Sequence, residues 1–338
     1  QLIRGFGPRW GVILGICVVL FVFGFLTWAA AGKSMSLIGL LQTTVQRAVP
    51  ITFGALSGVL CERAGVVNIA IEGMLLAGAF TGAVVGSATD NILLGLGAAA
   101  VVGGLLALVL AILAIRYLVD QIIAGTVINI FSVGITSFIA TRVLQVNPGL
   151  NTPDRFSPMA IPILSDIPII GPMFFNGNLF LYLLFILIGL IHYGLFYTRW
   201  GLRVRAVGEH PRAADTVGIN VLRTRYQNVI LGGIVAGIGG AYFTLGSTGN
   251  FERDMTAGRG FIGLAAMIFG AWTPIGAFLA SLVFGFADAL QARLSILNVA
   301  IPSEFLLMVP YVVTILVVAG LVGRVRAPAA DGRPYDKG

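Results

Sequence analysis

The chain has 338 residues, 57% of them hydrophobic and only 10% charged, and its mean hydropathy is +0.96. This balance excludes an ordinary soluble domain. The net charge of +7 does not point to nucleic acid, because the arginines stand at the ends of apolar runs, where the positive-inside rule places them.

The apolar runs reach the roughly 20 residues an α-helix needs to cross a bilayer, and they are apolar on all sides rather than alternating as barrel strands do. An all-α polytopic membrane protein follows. Helices are expected at about 11–31, 37–60, 65–86, 92–115, 121–141, 179–198, 227–247, 260–271, 275–291 and 304–322. About eight of these ten segments can span, and the 260–271 and 275–291 pair is read as a broken half-helix element. Residues 1–326 form a single transmembrane domain, and 327–338 a tail.

In chain order, Arg4 and Arg9 precede the run from Gly11 to Ala31. That run is longer than the apolar part of a cleaved signal and is read as a retained first helix. The 65–86 segment carries Asn68 and Glu72, which at i, i+4 would share one helical face. A central carboxylate costs about 2.5–3.5 kcal/mol in lipid, so Glu72 should face a cavity, a partner helix or water. A polar wall of a transport path and a structural bond between helices are both open. Gly78, Gly82 and Gly86 repeat every four residues and make a ridge for close helix packing, as do Gly233, Gly237 and Ala241 later.

The 121–141 helix carries Thr126, Asn129 and Thr136, with Asn129 and Thr136 on one face. This neutral stripe suits a sugar or a base, and it suits helix-to-helix bonding equally. Residues 142–178 contain Pro148, Pro153, Pro158, Pro162, Pro168 and Pro172, which rule out a helix and make an external loop. The loop meets a partner outside or packs as a lid. Residues 199–226 are a polar insertion between apolar runs. Within it Pro211 fits a first helical turn and Gly218 a helix stop, so a short helix would present Ala213, Ala214 and Val217 for docking.

Near the broken 260–291 element, Asp288 and Gln291 lie close to Arg293, and an Asp–Arg pair is expected there. A five-plus-five internal repeat is hinted at by the glycine-rich 65–86 and 260–285 stretches. With the N-terminus inside, 14 of the 21 lysines and arginines lie inside, among them Arg63, Arg116, the 199–226 cluster and Arg333. Both termini are then cytoplasmic. Cys17 and Cys61 give neither a disulfide framework nor metal-ligand spacing. No HExxH, GxSxG or GxxxxGK[ST] pattern occurs, so neither an enzyme, a metal nor a bound nucleotide cofactor is expected, and any ATP must bind another chain.

Three stretches together resemble the permease subunits of bacterial ABC importers of the ribose and branched-chain amino acid type. They are ERAGVVNIAIEGMLLAGAF at 62–80, LRVRAVGEHPRAADTVGINV at 202–221 and GRGFIGLAAMIFGAWTPIGAFLASLVFGFADALQARL at 258–294. The last is most similar to the nucleoside and simple-sugar branch. The resemblance implies a multi-pass protein of the bacterial inner membrane that imports a nucleoside or simple sugar. It implies ABC ATPase subunits, a second permease subunit and an external substrate-binding protein as partners, with lipid around them. It makes 199–226 the coupling loop, with Gly208, Glu209, Arg212, Ala213, Ala214, Asp215, Gly218 and Ile219 as coupling residues. Asn68, Glu72, Asn129 and Thr136 are the candidates for the translocation path. The rival is an ion-coupled secondary transporter, in which Glu72 or Asp288 would hold the ion.

Overall fold

The computed structural model describes residues 36–297, Met308 and 326–336. The helices expected at 11–31 and 304–322 lie outside the described residues. The rest is almost entirely helical: α1 Leu37–Glu62, α2 Ile71–Thr89, α3 Ile92–Arg116, α4 Gln121–Leu144, α5 Ile170–Phe174, α6 Leu179–Tyr197, α7 Arg199–Glu209, α8 Pro211–Thr216, α9 Val221–Thr248, α10 Arg259–Phe269 and α11 Pro274–Ile296. A two-residue antiparallel ladder, β1 Met159–Ala160 with β2 Asn176–Gly177, pins the proline-rich loop.

Six of these helices, α2, α3, α4, α6, α9 and α11, are long and apolar enough to cross a membrane. Helix α1 is less apolar, carrying Gln42, Gln46, Arg47 and Glu62, but every residue from Ala48 to Glu62 is buried. It is a post inside the bundle, packed by α9, α10 and α11, so protein rather than lipid sets its composition. Outward-facing Ile122, Ile130 and Phe131 on α4, by contrast, are more than half exposed, as lipid-facing side chains are.

Helices α2, α3 and α9 pack backbone to backbone. A Cβ on Gly78 would overlap the Gly237 carbonyl, and one on Gly103 would overlap that of Gly233. The glycine ridges are therefore packing surfaces.

Two expectations are corrected. The helix expected at 65–86 begins only at Ile71, so Asn68 and Glu72 do not share a helical face. Gly65, with φ +81°, ends α1 instead: its N–H donates to the Glu62 carbonyl at 2.9 Å and that of Val66 to Cys61 at 3.1 Å. This left-handed glycine stop sends the chain back as a non-helical segment before α2 starts. Ile71 lies against Gly54 of α1, eight residues before Glu62, so the segment climbs about 12 Å back into the bundle.

The second correction concerns the broken element. Helix α10 has 11 residues, about 16 Å, and is the short piece expected. Helix α11 has 23, about 34 Å, and is long and apolar enough to cross, because Thr273 caps it and Pro274 opens it cleanly. Helix α10 runs beside the second half of α1, from Gly263 against Gly54 to Met267 against Gly58.

Candidate functional site

Two places in the bundle concentrate polar chemistry. The first is the end formed by residues 199–226. Thr198 caps α7 through Gly201, and the chain breaks at His210 before Pro211 opens α8. At its far end Gly218, with φ +85°, donates to Asp215 at 2.9 Å, and Ile219 donates to Ala214 at 3.0 Å. This repeats the stop seen at Gly65. Asn220 then caps α9 by accepting from Arg223 N at 2.9 Å. The expected two-turn helix between a proline start and a glycine stop is present.

Its faces divide differently from the expectation. Arg212, Ala213 and Val217 are exposed, with Val217 at 76%, whereas Ala214 is only 4% exposed and faces inward. Beside Val217 a groove of about 920 Å³ has Leu202 and Val217 among its lining and Arg199, Arg203 and Arg223 around it. Gly208 is buried against the Arg63 carbonyl, while Glu209 is exposed and accepts from Ala329 N at 3.2 Å. Asp215 and Ile219 sit at the α8 stop.

This end is tied to the core through Arg63. Its Nε donates to the Trp272 carbonyl at 2.8 Å and its Nη2 to that of Ala271 at 3.1 Å. Arg63 and Arg205 also flank the Phe196 ring at 5.5 and 5.3 Å. Burial lowers the Arg63 pKa, and the neighbouring Arg205 lowers it further. The α7–α8 unit is thus fastened to the turn between α10 and α11.

The second place lies within the bundle, where α2 restarts and α10 begins. Glu72 is 5% exposed, and its carboxylate accepts three bonds: Oε1 from Thr256 Oγ1 at 2.6 Å and Gly258 N at 2.8 Å, Oε2 from Gly260 N at 2.6 Å. It therefore caps the N-terminus of α10, where backbone donors and the helix dipole favour a negative charge. Asn129 performs the matching service for α2. Its Oδ1 accepts from Gly73 N at 2.8 Å and its Nδ2 donates to the Ile69 carbonyl at 2.8 Å. Thr136, two turns from Asn129 on the same buried face, bonds back to Ser132 on its own helix at 2.6 Å. Asn68 reaches Ser57 at 3.4 Å, and among the described residues its Oδ1 has no hydrogen-bond partner. Thr126 is exposed and bonds back to Ile122 on its own helix.

Asp288 pairs with different arginines from the one expected. Its Oδ2 meets Arg47 at 3.2 Å and Arg259 at 3.3 Å, while Arg293 reaches the Gly39 carbonyl at 3.4 Å and Thr43 at 3.5 Å. At the end of the bundle away from α8, a cavity of about 650 Å³ is lined by Gln42, Gln46, Asp154, Asn176, Asn178 and Tyr242, among others. Its lining mixes amides, a carboxylate and aromatic surface, which suits a neutral hydrogen-bonding solute.

Sequence reasoning places Arg225 at the membrane face, Trp272 in a helix break and 327–338 in a tail, but does not bring them together with Glu62 near Gly208, as the structure does. Their signal was faint: a glutamate and an arginine at the ends of apolar runs, and a tail rich in Pro, Gly and Asp.

A family model described as the branched-chain amino acid transport system permease component matches residues 39–318. The guanosine ABC transporter permease NupQ of Bacillus subtilis is 41% identical over 88% of this chain and 97% of its own length. The nucleoside ABC transporter permease NupC of Lactococcus lactis subsp. cremoris is 39% identical over 90% and 99%. The putative glucose ABC transporter permease TsgC13 of Haloferax volcanii is 36% identical over 78% and 80%. More distant permeases of the first two organisms also match, at 26% and 23% identity. No solved structure gave a significant match. With a family match over most of its length and relatives about 40% identical over nearly their whole length, the chain belongs to this permease family and is a membrane-transport subunit, not an enzyme.

Proposed function

We propose that this chain is the membrane-spanning permease of an ATP-driven importer that admits a nucleoside, or a simple sugar, handed over by an external binding protein. The observation that carries the mechanism is α8, a two-turn helix presenting Arg212, Ala213 and Val217 outward beside a basic groove, with no phosphate-binding motif in the chain. ATPase subunits dock there, inside the cell, and their closure moves α8. Both termini then face the cytoplasm, which agrees with Arg63, Arg116, Arg203 and Arg333 lying at or near one end of the bundle. The substrate class rests on the names of NupQ, NupC and TsgC13 and on the polar cavity at the other end, whose amides, Asp154 and Arg155 offer hydrogen bonds.

A second permease subunit completes the pathway. Two organisms each carry one permease close to this chain and one distant from it, which favours a heterodimer. A left-handed glycine precedes each of the two restarts among the described residues, Gly65 before α2 and Gly258 before α10, and this recurrence supports a five-plus-five repeat. Asn68, Glu72, Asn129 and Thr136 lie beside the path in this reading, where Glu72 and Asn129 hold the two restarts in shape.

The ion-coupled alternative needs a carboxylate free to take a cation or proton. Glu72 is engaged by three donors and Asp288 by two guanidinium groups, so the geometry favours ATP. Co-purification of the tagged chain with an ATPase subunit, followed by guanosine uptake in proteoliposomes with the binding protein, tests the proposal. ATP-dependent uptake is expected. Gly218→Pro cannot adopt φ +85° and is expected to abolish uptake while leaving membrane insertion intact. Normal uptake in that variant sinks the coupling role of α8, and uptake that collapses with a protonophore while ATP is preserved sinks the ATP-driven reading.

A further inference from the structure

Residues 326–336 carry no helix, yet they are held in place at three successive points. First, Ala330 N donates to the Gly208 carbonyl at 2.9 Å and Ala329 N to Glu209 Oε2 at 3.2 Å, joining the segment to α7. The Ala330 carbonyl also lies against Gly65, where an added Cβ would stand 3.2 Å from that oxygen and 2.9 Å from an Arg225 nitrogen.

Second, Asp331 lies beside Glu62, at the end of α1, close enough for the two carboxyl groups to couple. Arg225 of α9, which is 1% exposed, lies near this pair and donates from Nη1 to the Arg333 carbonyl at 3.1 Å. Glu62 Oε2 also accepts from Trp272 Nε1 at 2.6 Å, so the cluster reaches the α10–α11 turn.

Third, Tyr335 is 7% exposed and inserts between α7, α8 and α9, packed with Val207, Ala214 and Val221. Its hydroxyl lies close to Asp215 of α8, and the Arg225 guanidinium lies 6.0 Å from its ring centre. Local turns pre-shape the segment, with Asp331 N donating to Pro328 and Arg333 N to Ala330.

We propose that residues 328–335 are a clasp that positions α8 against α1 and the α10–α11 turn, so that movement imposed on α8 is passed into the bundle. Ala214 and Asp215 of the docking helix touch Tyr335, Tyr335 touches Arg225, and the Asp331–Glu62 pair leads to Trp272. This is a continuous chain of contacts between the docking helix and the short helix capped by Glu72. Tyr335 and Asp331 are positioning residues, and the proposal rests on α8 being the site of ATPase docking.

The test uses the assembled transporter in proteoliposomes, with guanosine as the probe, reading guanosine imported per ATP hydrolysed. Tyr335→Ala and Asp331→Asn are expected to lower that ratio about five-fold or more in complexes that still assemble and still hydrolyse ATP. Tyr335→Phe, which keeps the packed ring and loses only the hydroxyl, is expected to restore most of it. An unchanged ratio in assembled variants overturns the clasp, as does a loss of uptake that merely follows the loss of assembled complex. Should the unaltered chain show no ATP dependence at all, the docking role of α8 fails instead, so the two failures are distinguishable.

Discussion

The end of the bundle around α8 and the interior around Glu72 both contain broken helices, and they satisfy the loose backbone groups in different ways. At the α8 end, Gly65 and Gly218 close helices with their own backbone, each by a left-handed residue and a pair of reverse bonds. In the interior, side chains from elsewhere in the chain do it: Glu72 for the start of α10, Asn129 for the start of α2. Water supplies whatever the α8 end leaves unpaired, but nothing replaces a lost partner deep in an apolar bundle. The interior breaks should therefore be rigid and costly to disturb. The α8 end should be adjustable, as a part that moves requires.

The largest effect that could break this contrast is at Glu72. Glu72→Ala leaves Gly258 N, Gly260 N and Thr256 without their acceptor and is expected to cost about 3–5 kcal/mol. Thermal unfolding of the purified protein would show it. A change below about 1 kcal/mol would mean that the α10 start needs no anchor.

The next effect concerns pH at the α8 end. Burial raises Asp331 from 3.8 to about 6, so the folded state holds its proton more tightly than the unfolded chain. Stability is then greatest below about pH 4 and falls, by at most roughly 2–3 kcal/mol, as pH rises through about 6. Asp331→Asn should flatten the dependence in melting curves recorded across that window. A curve that rises with pH instead would reverse the assignment.

The two glycine stops sharpen the comparison within the α8 end itself. Gly218 has open space around its missing Cβ, so Gly218→Ala should cost only the left-handed backbone strain, about 1–2 kcal/mol. Gly65 has the same strain and is also crowded by Arg225 and Ala330, so Gly65→Ala should cost more, by about 1 kcal/mol. Equal losses in denaturation would mean that the 326–336 segment yields freely. Smallest of all, Thr126→Val on the lipid-facing side of α4 is expected to change stability and uptake by under about 0.5 kcal/mol, which a melting curve and an uptake assay can check.

Much of the fold was legible in the chain. Expected helices 37–60, 92–115, 121–141 and 179–198 are observed at 37–62, 92–116, 121–144 and 179–197. Where turn chemistry is unambiguous, the start of α8 at Pro211 and its stop at Gly218 are legible, although Ala214, expected outward, faces inward. The 65–86 helix was misjudged because the apolar pattern runs unbroken across 66–71, and Gly65 serves as well for a start as for a stop. Asp288 was matched with its sequence neighbour Arg293, whereas its partner Arg47 lies 241 residues away.

The sequence by itself determined the class of the protein, its long helices and the short helix α8, because hydropathy, proline and glycine act over a few residues and leave a local trace. Only the tertiary structure decided what Glu72 and Asn129 bind, which arginines meet Asp288, and that residues 326–336 reach back to α8. Those choices depend on which helices lie side by side. Inside an apolar bundle every polar group must find a partner, and the partner it finds belongs to the packing, not to the neighbouring sequence.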